Sequence, residues 1–562
     1  MEWTKFCPHS PLPPPMTVCK NPLWLYDTTL RDGAQREGIS LSLTDKLTIA
    51  RRLDQLGIPF IEGGWPGANP KDVQFFWQLQ EEPLEQAEIV AFCSTRRPHK
   101  AVETDKMLQA ILSAGTRWVT IFGKSWDLHV LEGLQTSLAE NLAMISDTIA
   151  YLRSQGRRVI YDAEHWFDGY QANPDYALAT LATAQQAGAE WLVMCDTNGG
   201  TLPRQISEIT TKVRQGLGLD AQCDHQPRLG IHAHNDSGTA VANSLMAVEA
   251  GATMVQGTIN GYGERCGNAN LCTLIPNLQL KLHFDCIEPK KLVNLTSTSR
   301  LISEIVNLAP DDHAPFVGRS AFAHKGGIHV SAVQRNPFTY EHIAPEVIGN
   351  ERRIVVSEQA GLSNILSKAE LFGIALDRQD PACRTILETL KDLEQQGYQF
   401  EAAEASFELL MRQAMDDRQP LFLVQGFQVH CDLLTPAENP AYHNALATVK
   451  VTVNGQNILE VAEGNGPVSA LDQALRKALT RFYPQIADFH LTDYKVRILD
   501  GGAGTSAKTR VLVESSKGDR RWTTVGVSGN ILEASYQAVV EGIEYGLRLL
   551  TCGLTDQKVT ST

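Results

Sequence analysis

Short apolar runs rich in β-branched and aromatic residues recur through the first half of the chain, each ending in polar or glycine residues. The first, Trp24 to Tyr26, breaks into the turn of LYDTTLRDGAQ at 25–35. The others are PFIEGGW (59–65), EIVAFCS (88–94), WVTIFG (118–123), RVIYDAE (158–164), WLVMCDT (191–197), RLGIHAH (228–234) and MVQGTIN (254–260). An apolar run ending in a polar turn is the pattern of a buried parallel strand. Amphipathic helical stretches lie between them, around 136–155, 174–187, 203–216 and 237–250. SLTD at 42–45 has the S-x-x-D form of a helix start, and Leu47, Ala50, Leu53 and Leu56 then keep one apolar face as far as Gly57. Eight strand–helix units over about 260 residues predict a (β/α)8 TIM barrel. An open doubly wound sheet is the alternative, but eight uninterrupted units favour closure.

The pattern changes after the barrel. Residues 286–425 read as mainly helical linker subdomains, containing RSAFAHKGGIHVSAV (319–333) and PFTYEHIAPEVIGN (337–350). There His324, His329 and Tyr340 are polar groups in a glycine-bearing region that could reach the barrel mouth. From about 430 strands alternate again: ATVKVTVNG, YKVRILDGG, TRVLVESS and RRWTTVGVSG, with helices at roughly 466–482 and 530–550. EGNGPVSALDQALRKAL (463–479) echoes GVSGNILEASYQAVVEGI (526–543), which predicts an α+β domain of two βββα-like repeats. A repeated module of this kind reads as a ligand sensor or dimeriser rather than a second catalyst. GAGTSAKT (502–509) approaches a phosphate loop, but Ala507 replaces its second glycine and a strand follows where a helix is required, so a hairpin loop is expected. The expected organisation is a proline-rich tail (1–21), barrel (22–285), linker (286–425), regulatory domain (426–555) and short tail (556–562).

Composition narrows the function classes. A chain of 562 residues exceeds one ordinary core, and its net charge of −14 argues against nucleic acid or a membrane surface as partner. No run of 18 apolar residues occurs, and the segment with Pro8, Pro11 and Pro13 to Pro15 lacks a signal-peptide pattern. Eleven cysteines without CxxC pairs suggest reduced thiols and a cytoplasmic protein.

Barrel geometry then places chemistry. Active sites form where the strands end, so Arg31, Asp32, Glu62, Glu164, Thr197, His232, His234 and Asn260 are expected around one pocket. Arg31 beside Asp32 could be no more than a salt-bridged surface turn. His232 and His234, two apart on a strand, project to one face and can bind one cation, with Asp32 as a third ligand. Two imidazoles and a carboxylate suit Zn²⁺, Mn²⁺ or Co²⁺ better than Mg²⁺. Such an ion could chelate a 2-oxo acid and polarise its carbonyl. The loop NGYGERCGNANL (260–271) could bring Asn268 to the metal, with Glu264 and Arg265 in support, or could be a tight loop in which Asn268 caps the next helix. Glu164 is either an active-site carboxylate or a solvated one. Trp65 either narrows a pocket wall or packs.

Taken together, LYDTTLRDGAQ, IHAHND, GYGERCGNANL and HKGGIH resemble the metal-dependent acyl-CoA condensing enzymes of the 2-isopropylmalate synthase, homocitrate synthase and citramalate synthase family, from about residue 22 to 555. EGGWPGANPKD and GKSWDLHV (123–130) resemble its long-type citramalate branch, which tilts the acceptor from 2-oxoisovalerate to pyruvate. The resemblance implies a divalent ion (Mn, Zn, Co or Mg) on Asp32, His232, His234 and Asn268, with acetyl-CoA as co-substrate. It implies substrate contacts from Arg31, Gln35, Trp65 and Thr197, and catalytic roles for Arg31, Glu164, His329 and Tyr340, the last two supplied across a homodimer. The carboxy-terminal repeat resembles the family's amino-acid feedback domain, with isoleucine as the effector to expect. Related condensations on other oxo acids, an acyl-CoA lyase and a catalytically dead regulator are the competing readings. Which group takes the acetyl proton, Glu164, His329 or a relayed water, stays open.

Overall fold

The computed structural model describes residues 22–219, 227–357, 360–431, 445–518 and 520–551; the expected tails, 1–21 and 556–562, lie outside the described residues. Two compact units result, Met1–Phe322 with Pro345–Glu351 and Ala323–Ala344 with Arg352–Thr562.

In the first unit β1 (Trp24–Asp27), β2 (Phe60–Gly64), β3 (Glu88–Ser94), β4 (Trp118–Lys124), β5 (Arg158–Glu164), β6 (Trp191–Asp196), β7 (Arg228–Ala233) and β8 (Met254–Gly257) form a closed barrel in sequence order. Parallel pairing of β1 with β8, from Trp24↔Met254 to Asp27↔Gly257, closes it and excludes the open sheet. The helix Leu43–Leu56 starts as its sequence predicts. The Ser42 side chain accepts from the Asp45 amide, the Asp45 side chain accepts from the Ser42 amide, and Gly57 ends the helix at φ 94°. β8 stops three residues short of MVQGTIN, because Ile259–Gly261 turns as a 3-10 segment with Asn260 at φ 61°.

The barrel interior is layered. Its floor is aromatic: Phe60 lies 5.1 Å from Trp118 and 5.6 Å from Trp24, and Trp24 lies 6.4 Å from Trp191, centroid to centroid. Burying rings of this size contributes roughly 1.5–3 kcal/mol each. Above the floor the side chains turn polar. The Tyr26 hydroxyl donates to Glu62 Oε2 at 2.7 Å and shares a 2.7 Å hydrogen bond with Thr120, while Gln256 Nε2 donates to Asp162 Oδ1 at 3.0 Å. All five side chains are buried.

The second unit opens with a small parallel pair, β9 (Ala323–His324) and β10 (Arg353–Ile354), and four helices, Gly327–Arg335, Leu362–Leu371, Pro381–Gln396 and Glu404–Ala414. Two βββα modules follow, as the internal echo predicts. β11 (Leu423–Cys431), β12 (Ala445–Val453) and β13 (Gln456–Gly464) precede the helix Pro467–Thr480; β14 (His490–Ile498), β15 (Thr509–Lys517) and β16 (Arg520–Ser528) precede Ile531–Thr551. Alternate residues of β12 (Ala445, Ala447, Val449, Val451, Val453) are buried with Ala470, Leu471, Ala474, Leu475, Ala478 and Leu479. GAGTSAKT connects antiparallel β14 and β15, with Gly504 at φ 58°, and is a hairpin loop. Among the described residues seven cysteines are free, and no helix is long and apolar enough to cross a membrane.

Candidate metal centre and active site

Three ligand atoms converge at the carboxyl end of the barrel. Asp32 follows β1, and its Oδ2 lies 3.2 Å from His232 Nε2 and 3.6 Å from His234 Nε2; the two imidazole nitrogens are 3.1 Å apart. The period of two along β7 turns both rings to the same side, and all three side chains are buried. Asn268 joins them: its Nδ2 donates to Asp32 Oδ2 at 2.9 Å and lies 3.3 Å from His232 Nε2. The loop must pass close to itself to deliver Asn268. A Cβ on Gly263 (φ 159°) would stand 1.9 Å from Asn268 Oδ1, and one on Gly267 (φ 89°) would stand 2.0 Å from the Gly261 carbonyl. The helix that follows, Leu271–Pro276, is capped by Asn270 rather than Asn268, which leaves Asn268 to the cluster.

This donor set fits a divalent cation. Burial pushes the Asp32 carboxyl up, but the Arg31 charge and the two histidines that face it more than offset it and hold it well below the usual range, so it is an anion. Asn268 Oδ1 is buried without a hydrogen-bond partner. Turning that amide over would set its oxygen beside Asp32 Oδ2, an arrangement only a cation stabilises. His234 carries a condition of its own. Arg265 donates to its Nδ1 at 2.9 Å, which puts the ring proton on Nε2. Ligation through Nε2 therefore needs that proton moved and Arg265 left on its other acceptors, Asp236 (2.7 Å) and the Thr197 carbonyl (2.7 Å).

Arg31 is fixed from three sides. Its Nε pairs with the buried Glu62 carboxylate, its guanidinium lies 3.9 Å from the Phe92 ring centre, and its Nη1 is 3.6 Å from Asp32 Oδ2. Burial disfavours the charged form, yet Glu62 and Asp32 dominate and drive its pKa further up. The turn is thus no surface salt bridge. Glu62, a rim residue without an assigned role in the sequence reading, is the carboxylate that aims Arg31. A lone acidic residue in an apolar strand end, spaced to point inward, was the available signal.

At the ends of β4 and β5, Glu164 ion-pairs with its register neighbour Lys124, and Thr197 Oγ1 accepts from the His165 amide at 2.9 Å. His165 itself sits at φ 53°, 3.3 Å from Asp168 and 4.3 Å centroid to centroid from His129; Lys124, His129 and His165 were not singled out from the sequence. Trp65 packs edge-on against Phe92 (5.9 Å) and Phe122 (5.6 Å), so it backs the ring that lies under Arg31. Gln35 ends the short turn after Asp32 and is exposed. In the second unit His329 and Tyr340 stack at 4.3 Å, and His324 pairs with Glu341 at 2.9 Å. Asn260 corrects the expectation of a shared pocket: its amide donates to the Ser299 carbonyl (2.9 Å) and Ser303 (3.0 Å), while its oxygen accepts from Ser299, so it ties the loop to the helix Leu295–Ile305.

Comparison with known proteins agrees with this geometry. Three family models match: HMGL-like over 23–302, homocitrate synthase post-HMGL domain-like over 316–398, and the LeuA allosteric (dimerisation) domain over 401–547. The chain is 94% identical over 547 residues to an (R)-citramalate synthase of Synechocystis sp., covering 97% of this chain and 100% of that one. It is 53% identical to an (R)-citramalate synthase of Geobacter sulfurreducens (93% and 97% covered) and 31% identical to a probable 2-isopropylmalate synthase of Methanopyrus kandleri (92% and 97%). With motifs, barrel and donor set in agreement over nearly the whole length, the chain belongs to the 2-isopropylmalate synthase, homocitrate synthase and citramalate synthase family and stands within its (R)-citramalate synthase branch.

Proposed function

We propose that the protein condenses acetyl-CoA with pyruvate and hydrolyses the thioester, releasing (R)-citramalate and CoA, an entry into isoleucine biosynthesis. The observation that carries the reading is the clamped Arg31 guanidinium, 3.6 Å from the carboxylate of a buried Asp–His–His donor set. Asp32, His232, His234 and Asn268 would hold a divalent ion, which supplies Lewis-acid polarisation of the oxo acid's carbonyl when bound. Zn²⁺, Mn²⁺ or Co²⁺ suits the two imidazoles better than Mg²⁺.

In this reading Arg31 binds the oxo acid and faces the negative charge that grows on its reacting oxygen. Because Glu62 already fixes the guanidinium, little reorganisation is needed at the moment of reaction; one such preorganised donor is worth about 10²–10³ in kcat. The acetyl methyl is a weak acid, and a positioned base adds about 10²–10⁴. Glu164, held by Lys124 at the end of β5, and His329, stacked on Tyr340, are the two groups proposed for that proton. Wash-in of deuterium at the acetyl-CoA methyl separates them: the base variant, Glu164→Gln or His329→Ala, loses exchange together with turnover. Thr197 and Gln35 are proposed as substrate contacts.

The acceptor is assigned from Trp65. Its ring and those of Phe92 and Phe122 make a bulky wall behind Arg31, which favours the smallest oxo acid. Each extra methylene is discriminated by roughly 1–3 kcal/mol, so a CoA-release assay across a panel of 2-oxo acids should give pyruvate the highest kcat/KM. A higher value with 2-oxoisovalerate would overturn the assignment in favour of 2-isopropylmalate chemistry. Chelation should abolish release, and metal add-back should restore it. Isoleucine is the proposed effector and a homodimer the proposed assembly, both supported by the match to the LeuA allosteric (dimerisation) model. Isoleucine that neither binds nor inhibits the full chain, or a monomer on sedimentation, would remove them.

A further inference from the structure

His232 can offer its Nε2 lone pair only if the ring proton sits on Nδ1, and a neutral imidazole in isolation has no strong reason to choose that tautomer. The barrel supplies the reason two side chains away. His232 Nδ1 lies 2.8 Å from Gln256 Oε1, its neighbour in register on β8. That oxygen can only accept, so Nδ1 carries the proton. A glutamine amide, however, can present either end. What decides here is Asp162 on β5, whose carboxyl is pushed up to about 7 by burial, is ionised at pH 8, and accepts from Gln256 Nε2 through Oδ1 at 3.0 Å. A reversed amide would set its carbonyl against that carboxylate and its NH₂ against Nδ1, leaving two buried acceptors facing each other. Asp162, Gln256 and His232 are all buried.

We propose that Asp162 and Gln256 are positioning residues that fix the tautomer of His232: the acceptor-only carboxylate orients the amide, the amide oxygen takes the Nδ1 proton, and Nε2 is left free for the cation. Outer partners of this kind are worth about 10–100-fold in metal affinity. The inference rests on the reading that the cation sits on Asp32, His232 and His234, but its central claim concerns a proton and can be read without any metal.

The decisive substitution is Asp162→Asn. An asparagine can donate to Gln256 Oε1, which lets the amide reverse and moves the His232 proton to Nε2. The exchange D162N/Q256E restores the original pattern, since the amide introduced at position 162 then donates and the carboxylate introduced at position 256 can only accept. ¹⁵N-histidine NMR of the metal-free full chain at pH 8 should show His232 protonated at Nδ1 in the wild type, at Nε2 in D162N, and at Nδ1 again in the exchange variant. Chelator competition with Co²⁺ should show affinity about 10–100-fold weaker in D162N and restored to within about threefold in the exchange. A wild-type ring protonated at Nε2 overturns the proposal outright, and so does unchanged Co²⁺ affinity in D162N. Should D162N fail to fold, the wild-type tautomer and the exchange variant still decide. Failure of the metal reading looks different: the tautomer stays on Nδ1 while Asp32→Ala leaves Co²⁺ stoichiometry unchanged.

Discussion

The inside of the barrel and the inside of the two carboxy-terminal modules are built on opposite rules. In the barrel, Arg31, Asp32, Glu62, Asp162, Gln256, His232 and His234 lie together near the strand ends, each tied to another polar group. In the modules, β12 and the helix Pro467–Thr480 meet through alanine, valine and leucine alone. Burying charge is costly and gains little stability over well-packed apolar residues of the same size. The barrel therefore carries its polar layer for chemistry, while the modules are filled for stability. The second module bends that rule. Its helix Ile531–Thr551 places Glu541 and Glu544 against Arg418, with Glu544 bidentate to Arg418 at 3.0 and 2.7 Å.

The contrast breaks if either class of substitution behaves like the other. Asp32→Ala should have the largest effect, lowering kcat/KM by at least about 10³-fold while the fold is retained, because a proposed metal ligand is lost and no packing is. Assays with metal in excess, paired with thermal melts, check this; a collapse of Tm with proportionate loss of activity would mean that Asp32 is structural. Leu475→Ala should do the reverse. Leu475 is fully buried in the first module, and truncation should cost about 2–5 kcal/mol in urea unfolding with turnover per folded molecule unchanged.

Glu541 sharpens the exception. Burial raises its carboxyl to about 7, against relief from the Ser406 hydroxyl and Arg418. A folded pKa above the unfolded value near 4.5 means that the folded state holds the proton longer. The contribution is greatest below pH 4.5, falls as pH rises towards 7, and is level beyond. Glu541→Gln should therefore match the wild type at acid pH and exceed it by about 1–3 kcal/mol at pH 8. A wild-type advantage at pH 8 would show the carboxylate to be a favourable partner of Arg418. Smallest is Ser42→Ala, which removes the first cap of the barrel and should cost about 1 kcal/mol without touching kcat.

Much of the site was legible because barrel topology turns strand ends into neighbours. Asp32 and His232 are 200 residues apart, yet an apolar run followed by a charged turn, and an HxH at a strand end, sufficed to bring them together. The glycine loop was legible as a loop, but whether Asn268 capped a helix or faced the Asp–His–His cluster depended on which asparagine the turn used for the cap. Residues that act inside the barrel were harder to read. Glu62, Asp162 and Gln256 differ from their apolar neighbours only by one polar atom at an inward position, and strand pairing, not local pattern, gives them partners. Asn260 shows the converse: its strand-end position was right, but a left-handed turn swung its amide to Ser299 and Ser303. In the second unit β11 carries no clean alternating pattern, because Gly426 interrupts it at a register shift.

The aromatic floor of Trp24, Phe60, Trp118 and Trp191 fills the barrel on one side of its polar layer. If the condensation runs above that floor, an acceptor seated against the rings would lie beneath its co-substrate, and the order in which the two exchange would follow from the architecture.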